Sequence, residues 1–316
     1  MGEKGDKNIQ GPYGHWPVMQ SEVLFWLRPK EGDIFLDCTV GYCGHAERIL
    51  EASAPDGIVV GIDRDFRALE EGRKLLERFG TRAVFIKGHF VELKRLLADR
   101  GISSVQGALF DLGVSSPQID DPSRGFSFQA GGPLDMRMDQ TTGATAAEIV
   151  NHTDEVDLAN MIYEFGEERY SRRIARAIVR ARANQPFETT NELASVVEAA
   201  VPAHYRRGRI HCATRTFQAL RIAVNQELEH LEQALRNAAD VLAPGGRLCV
   251  ISFHSLEDRI VKHTFRALSG RADGKIEVLT KRPQVPTVEE IDRNPRSRSA
   301  KLRVIQRVAK EGEGHA

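Results

Sequence analysis

Short apolar runs alternate with helical patterns through the first third of the chain. The runs occupy residues 34–36, 57–62, 83–86 and 105–110, and they predict buried strands. Strands that alternate with helices indicate a parallel, doubly wound α/β sheet, in which ligands bind at the carboxyl ends of the strands. Four residues follow the runs and should therefore share one edge of the sheet: Asp37, Asp63, Phe90 and Asp111.

The pattern changes at about residue 120. Loops without clear periodicity come first, and helical patterns follow with no strand between them, near residues 145–150, 156–165, 167–182 and 191–200. This stretch predicts an α-helical insertion. One long amphipathic helix at 214–242 then returns to the sheet, which gains strands at 247–253 and 301–305. Near the N-terminus, Ser21 is expected to cap a short helix. The predicted division is a sheet domain at 12–119 and 214–308, an insertion at 120–213, and flexible tails at 1–11 and 309–316.

A glycine-containing turn at Gly41 and Gly44 separates the first strand from a helix that starts at about Ala46. Glycine lets the backbone approach a ligand closely, and a helix start offers N–H groups. Asp63 lies about 20 residues further on, where an acid can bind ribose hydroxyls. These features favour a nucleoside cofactor over a tight turn of structural role alone, and they make Gly41 a cofactor-binding candidate. The spacing and Asp37 fit S-adenosylmethionine (SAM) methyltransferases better than NAD enzymes.

Composition allows a full core, since 41% of the 316 residues are hydrophobic and 28% are charged. The 4 cysteines show no Cys-x-x-Cys spacing, which argues against a disulfide framework and against a metal site. No apolar run approaches the roughly 20 residues of a membrane span, and no signal-peptide pattern is present. A cytoplasmic protein without membrane contact is expected.

Arginines form two local clusters although Lys plus Arg and Asp plus Glu both total 44. Five arginines share one arc of the helical pattern at 167–182, beside an apolar stripe: Arg169, Arg172, Arg173, Arg176 and Arg180. The second cluster lies before the long helix and includes Arg206, Arg207, Arg209 and Arg215. Arginines alone, rather than a lysine–glutamate mixture, favour phosphate contacts over a merely solvated face.

Three strings are specific enough to indicate a family. They are Asp-Leu-Gly-Val-Ser-Ser-Pro-Gln at 111–118, Gly-Pro-Leu-Asp-Met-Arg-Met-Asp at 132–139 and Ser-Phe-His-Ser-Leu-Glu-Asp-Arg at 252–259. With further segments from 15–23 to 294–303, the sequence closely resembles the MraW (RsmH) family of bacterial small-subunit rRNA (cytosine-N4)-methyltransferases.

The resemblance implies a Rossmann-like SAM-dependent methyltransferase sheet split by a helical substrate-recognition domain. It implies that the substrate is the N4 amine of a cytidine in the decoding centre of 16S rRNA, cytidine 1402 in the usual numbering of that RNA. Matching positions place SAM against Cys43, Gly44, His45, Asp63, Phe90, Asp111 and Gln118. The family usually has glycine where this chain has Cys38 and Cys43, and cysteine adopts positive φ less readily. An RNA-binding ribosome-assembly factor with an impaired SAM site is therefore the alternative function.

The chemistry of the amine suggests which residues act. Its lone pair is delocalised into the cytosine ring, so hydrogen-bond acceptors near the N–H groups should help, and four residues after the fourth strand suit that role: Asp111, Ser115, Ser116 and Pro117 through its carbonyl. Either Asp111 or His254 could accept the proton. Phe90 is suited equally to stacking on adenine and to the core. Phe126 and Phe128 are suited equally to stacking on the target base and to packing the domain junction. The sequence leaves open whether the protein is a monomer or a homodimer.

Overall fold

The computed structural model describes residues 17–270 and 275–308. The chain divides into two compact units, one formed by residues up to Gly113 and from His230 onward, the other by Val114–Glu229. The boundaries expected from the sequence, at about residues 120 and 213, both lie inside the second unit. The expected tails, 1–11 and 309–316, lie outside the described residues.

A seven-stranded sheet in the order β3-β2-β1-β4-β5-β7-β6 forms the centre of the first unit. The strands are β1 (Ile34–Asp37), β2 (Ile58–Asp63), β3 (Ala83–Lys87), β4 (Val105–Asp111), β5 (Leu242–Ser252), β6 (Ile276–Val278) and β7 (Lys301–Arg307). The first five in chain order run parallel, and β7 runs antiparallel to β5 and β6. The chain order reverses between β1 and β4, which is where doubly wound sheets bind ligands. The predicted fold class is confirmed.

Helices cover both faces of this sheet. They are α1 (Gln20–Leu27), α2 (Gly44–Ala52), α3 (Phe66–Leu75), α4 (Leu93–Ala98), α12 (Leu231–Val241), α13 (Ser255–Ser269) and α14 (Val288–Arg293). Apolar side chains of α4, α12 and α13 pack on one face, and those of α1, α2 and α3 pack on the other. Burial on both faces explains why the strands appear in the sequence as continuous apolar runs.

The second unit consists of helices and loops, and the only strand-like pairing among its described residues is a single bridge between Pro133 and Thr189. Its helices are α5 (Ser116–Asp120), α6 (Ala146–His152), α7 (Glu155–Gly166), α8 (Ser171–Arg182), α9 (Thr190–Ala200), α10 (Ala203–Arg206) and α11 (Thr214–Asn225). They surround a separate core in which Ile162, Ile174, Leu193 and Leu220 are fully buried. This unit therefore has a hydrophobic core of its own.

Several predicted element boundaries are wrong. The helix expected at 214–242 is two helices, because Gln226 adopts φ 52° in the left-handed region and ends α11. Helix α1 begins at Gln20 after Met19, so Ser21 lies inside the helix and does not cap it. Helix α8 begins at Ser171, which leaves Arg169 in the preceding turn. Strand β6 was not predicted, since three residues carry no period. No helix in the described part of the chain is long and apolar enough to cross a membrane.

Candidate active site

The turn between β1 and α2 is attached to the strands on both sides of β1. The Cys38 N–H donates to Leu109 O of β4 at 2.9 Å, and the Val40 N–H donates to Ile62 O of β2 at 3.1 Å. The Gly41 N–H, at φ 47°, donates to Asp63 Oδ2 at 2.8 Å. Asp63 therefore fixes the shape of the glycine turn from the end of the neighbouring strand.

The two cysteines of this turn differ in backbone conformation. Cys43 adopts φ 67° and precedes α2 directly, whereas Cys38 is not among the described residues with positive φ. A Cβ added to Gly72 would lie 2.4 Å from Cys43 Sγ, so the thiol fits only because residue 72 lacks a side chain. Burial raises the pKa of both thiols, with Asp37 adding to the effect. Neither cysteine has the character of a nucleophile.

Three carboxyl groups are held at the carboxyl ends of β1, β2 and β4. Burial raises the pKa of Asp37 to about 7, of Asp63 to about 6 and of Asp111 to about 8. Repulsion from Asp37 raises the pKa of Asp111 further, and repulsion from Asp63 does the same for Asp37. Each group is therefore costly to ionise unless a cation lies nearby.

Asp111 is the acid best placed for contact with a ligand. Its N–H donates to Thr39 Oγ1 at 2.7 Å, which ties the end of β4 to the turn after β1. Its Oδ2 lies 3.6 Å from His45 Nε2, and its Oδ1 is buried without a hydrogen-bond partner. Burial lowers the pKa of His45 to about 4, so this imidazole is neutral at physiological pH.

His254 follows β5 and is held by Glu257 from the first turn of α13. Its Nδ1 accepts from the Glu257 N–H at 3.4 Å, and its Nε2 lies 3.3 Å from Glu257 Oε1. The Glu257 carboxylate also accepts from the Phe253 N–H at 2.8 Å. Nε2 is buried and makes no hydrogen bond within the described residues. Both ring nitrogens of His254 thus lie against Glu257.

Ser115, Ser116, Pro117 and Gln118 belong to the second unit, at the start of α5. The Ser115 N–H donates to Gln118 Oε1 at 2.9 Å, and Pro117 occupies the first turn, where no N–H is needed. Gln118 is 6% exposed, and its side-chain amide caps the N-terminus of α5.

Phe90 lies just after β3 in the first unit. Its ring centroid is 4.2 Å from that of His89 and 5.7 Å from that of Phe110, and it packs against the buried core. Its role against adenine stays a prediction. In the second unit, Phe128 packs between His211 and Phe217 at centroid distances of 4.7 and 4.8 Å, and Phe126 borders the same helical core.

The predicted arginine clusters both lie on the second unit and are exposed, apart from Arg215, which is half-buried. On α8, Arg173 and Arg180 point away from the buried stripe, whereas Arg176 forms an ion pair with Glu155 at 3.3 Å. Arg206 ends the short helix α10, and Arg207 and Arg209 follow it. The expectation that Arg169 continues the α8 face is wrong, since α8 begins at Ser171 and the Arg169 guanidinium lies against the rings of Tyr170 and Tyr205.

A model of the MraW methylase family matches residues 12–308. The chain belongs to the MraW methylase family. It is 50% identical over 310 residues to a protein of Syntrophotalea carbinolica named ribosomal RNA small subunit methyltransferase H, covering 94% of this chain and 98% of that one. A protein of the same name from Thermomicrobium roseum is 48% identical, with 99% and 100% coverage. Among solved structures, the chain is similar to a protein of Streptococcus mutans described as a methyltransferase in complex with SAH, at 10% identity and TM-score 0.46, with 92% and 98% coverage.

Membership of this family confirms the predicted cofactor, SAM. The site fits it chemically, because SAM carries a sulfonium and an ammonium charge while three carboxyl groups at the strand ends have raised pKa values. The unpartnered Asp111 Oδ1 adds a hydrogen-bond acceptor, and the glycine turn lets the backbone approach the cofactor closely. The residues of this methylase that would hold the cofactor are those predicted within the first unit: Gly41, Cys43, Gly44, His45, Asp63, Phe90 and Asp111.

Two residues of the site were not assigned from the sequence. Thr39 accepts the Asp111 N–H, and Glu257 controls both ring nitrogens of His254. The sequence signal for Thr39 was a hydroxyl shortly after the first strand, and the signal for Glu257 was the Ser-Phe-His-Ser-Leu-Glu string. Neither signal shows which distant residue the side chain will contact.

Proposed function

We propose that this methylase transfers a methyl group from SAM to the N4 amine of a cytidine in 16S rRNA of the small ribosomal subunit, cytidine 1402 in the usual numbering. The observation that carries the proposal is Asp111, an acceptor with a buried, unpartnered oxygen at the switch point of a methyltransferase sheet. About half of the aligned residues are identical to those of proteins named ribosomal RNA small subunit methyltransferase H, and this supports rRNA of the small subunit as the substrate. The place of action would then be the bacterial cytoplasm.

When bound, SAM supplies a methyl group that is activated by the sulfonium. Asp111 would accept a hydrogen bond from the N4 amine and so turn its lone pair away from the cytosine ring. On receiving the methyl group from SAM, which would leave as S-adenosylhomocysteine, the N4 nitrogen would become acidic, and the Asp111 carboxylate would accept one of its protons. By their place in the sequence after β4, Ser115, Ser116 and the Pro117 carbonyl remain predicted acceptors of hydrogen bonds from the amine.

We assign the proton to Asp111 rather than to His254. Both ring nitrogens of His254 face Glu257, through the backbone N–H at one and the carboxylate at the other. The pKa of Asp111, raised to about 8, is close to the operating pH that general acid–base catalysis favours. His254 would then shape the end of β5 without moving the proton.

The decisive experiment is methylation of small subunits from a strain that lacks the enzyme. Purified protein and SAM carrying a labelled methyl group are added, and the rRNA is digested to nucleosides for mass spectrometry. N4-methylcytidine is expected as the labelled nucleoside. Label at C5 or on ribose would contradict the proposal, whereas failure both to bind SAM and to transfer label would favour the alternative, an assembly factor with an impaired SAM site.

We further propose that the exposed arginines of the second unit contact rRNA phosphates. Arg173 and Arg180 on α8 and Arg206, Arg207 and Arg209 near α10 carry this role, whereas Arg176 is partly neutralised by Glu155. Arg173→Gln should weaken substrate binding and reduce the salt slope by about one unit, and Arg176→Gln should have a smaller effect. The test is to measure the apparent affinity of both variants and the parent for small subunits at two salt concentrations.

A further inference from the structure

Arg169 lies against two tyrosine rings at one end of α8. Its Cζ atom is 4.9 Å from the centroid of the Tyr170 ring and 4.9 Å from that of the Tyr205 ring. The two rings are themselves 4.9 Å apart, edge to face at 68°. Arg169 is exposed to solvent while both tyrosines are partly buried. The guanidinium therefore has aromatic support on its inner side and solvent on its outer side.

A buried carboxylate holds this group in place. Glu168 is 0% exposed, and its Oε1 accepts from the Tyr170 N–H at 2.8 Å while its Oε2 accepts from Tyr205 Oη at 2.6 Å. Burial and the Glu168 carboxylate raise the pKa of Tyr205 to about 12, so the hydroxyl stays a donor. Tyr170 Oη lies 3.4 Å from His204 Nε2. The arginine, two tyrosines and histidine are thus arranged before any ligand arrives.

Two further arginines lie beside this group. Arg172 and Arg173 lie in the first turn of α8, which contains no acidic residue, although cations are unfavourable at a helix N-terminus. Within residues 17–270 and 275–308, no ion pair neutralises Arg169, Arg172 or Arg173. Since Tyr205 belongs to α10, the same hydrogen bond to Glu168 brings Arg206 and the residues after it beside the start of α8.

We propose that Arg169, Tyr170, His204 and Tyr205 form a binding site for one unpaired RNA nucleotide. The base stacks on the supported guanidinium plane of Arg169, and Arg172 and Arg173 neutralise the adjoining phosphates. Planar arginine and aromatic groups are the surfaces on which proteins stack single-stranded bases, and a held group loses less freedom on binding. The proposal rests on the RNA substrate proposed above, but it specifies a base contact where the sequence indicated phosphate contacts alone.

The variant Arg169→Lys tests this proposal, because lysine keeps the positive charge but has no planar guanidinium group. The probe is a fluorescein-labelled, unstructured RNA of about 12 nucleotides, compared with the same RNA carrying abasic sites. By fluorescence anisotropy, the parent should bind the intact RNA about 10-fold more tightly than the abasic RNA. In Arg169→Lys this ratio should fall toward one, with an unchanged salt slope because the charge remains. Arg176→Lys, on the same helix but paired with Glu155, should keep the parent ratio.

Equal discrimination by Arg169→Lys and the parent would overturn the proposal. So would a parent enzyme that methylates small subunits yet does not distinguish the two RNAs or binds neither. Those outcomes leave the methylation of rRNA intact, whereas failure of the proposed function would appear as loss of label transfer to rRNA in the parent itself. Matching thermal unfolding of the three proteins guards against a folding defect.

Discussion

At the scale of single residues, Asp111, which we propose as the proton acceptor, shows how a buried carboxyl group reduces stability. Its carboxyl group is 27% exposed, and burial and neighbouring carboxylates raise its pKa to about 8. Between the ordinary value near 4 and about pH 8, the folded protein keeps a proton that the unfolded chain releases. Stability must therefore fall as the pH rises through this window.

Replacing Asp111 with Asn removes this penalty. Cofactor-free Asp111→Asn should be more stable than the parent at pH 8 by at least about 1 kcal/mol, with little difference near pH 4, while methyl transfer falls by about 100-fold or more. Thermal unfolding at the two pH values and a single-turnover methylation assay check both parts. An unchanged dependence of stability on pH would show that Asp111 does not hold its proton in the folded state.

The two cysteines of the turn between β1 and α2 provide a matched pair. Cys43 occupies the left-handed region and Cys38 does not, although both thiols are buried. In Cys43→Gly, relief of backbone strain offsets the lost packing, so stability should stay within about 1 kcal/mol of the parent. Cys38→Gly gains no such relief and should lose about 2 kcal/mol. Urea unfolding measures both, and SAM affinity should not weaken in Cys43→Gly. Equal losses would mean that φ at residue 43 carries no strain.

At the scale of elements, Asn225 joins the end of α11 to the string at 132–139. Its Nδ2 donates to Met136 O at 2.8 Å and to Arg221 O at 2.9 Å, and its Oδ1 accepts from the Met138 N–H at 2.8 Å. The side chain is 1% exposed, so water cannot replace these bonds. One amide therefore fixes a loop that has no regular structure of its own.

Asn225→Ala should destabilise the protein by about 3 kcal/mol, since buried backbone groups lose their partners. The neighbouring residue supplies the control, because Gln226 adopts φ 52° and Gln226→Gly should be neutral or stabilising by up to about 1 kcal/mol. Chemical unfolding of both variants measures the difference. Similar losses at the two positions would indicate that the helix end, and not the amide, holds the loop.

At the scale of the whole molecule, the strand ends collect carboxyl groups from distant parts of the chain. Asp37, Asp63 and Asp111 have raised pKa values of about 7, 6 and 8. A bound cation favours the ionised forms and lowers these values, so binding SAM near neutral pH should release protons and should strengthen as the pH rises from 6 to 7.5. S-adenosylhomocysteine lacks the sulfonium charge and is therefore the control ligand. Its affinity should depend less on pH than that of SAM. Calorimetry in two buffers of different ionisation enthalpy counts the protons, and equal counts for the two ligands would contradict the role of the sulfonium.

Several features followed from the sequence because their causes are local. Buried strands of a doubly wound sheet are apolar on both faces, so β1, β2, β3 and β4 appear as runs, and the acids after them fall at one edge by topology alone. The strings at 111–118, 132–139 and 252–259 indicated the family, which the comparisons confirm.

Other features were decided only by the tertiary structure. The apolar period continues across Gln226, so nothing local showed that a left-handed residue divides the predicted long helix. Arg169 has the spacing of a helix face, yet Tyr205, 36 positions later, and the buried Glu168 hold it in the preceding turn. The pKa of Asp111 depends on Asp37 and Glu257, which are far away in the chain. A sequence pattern records which groups are neighbours along the backbone, whereas strain, burial and charge coupling depend on which groups the fold brings together in space.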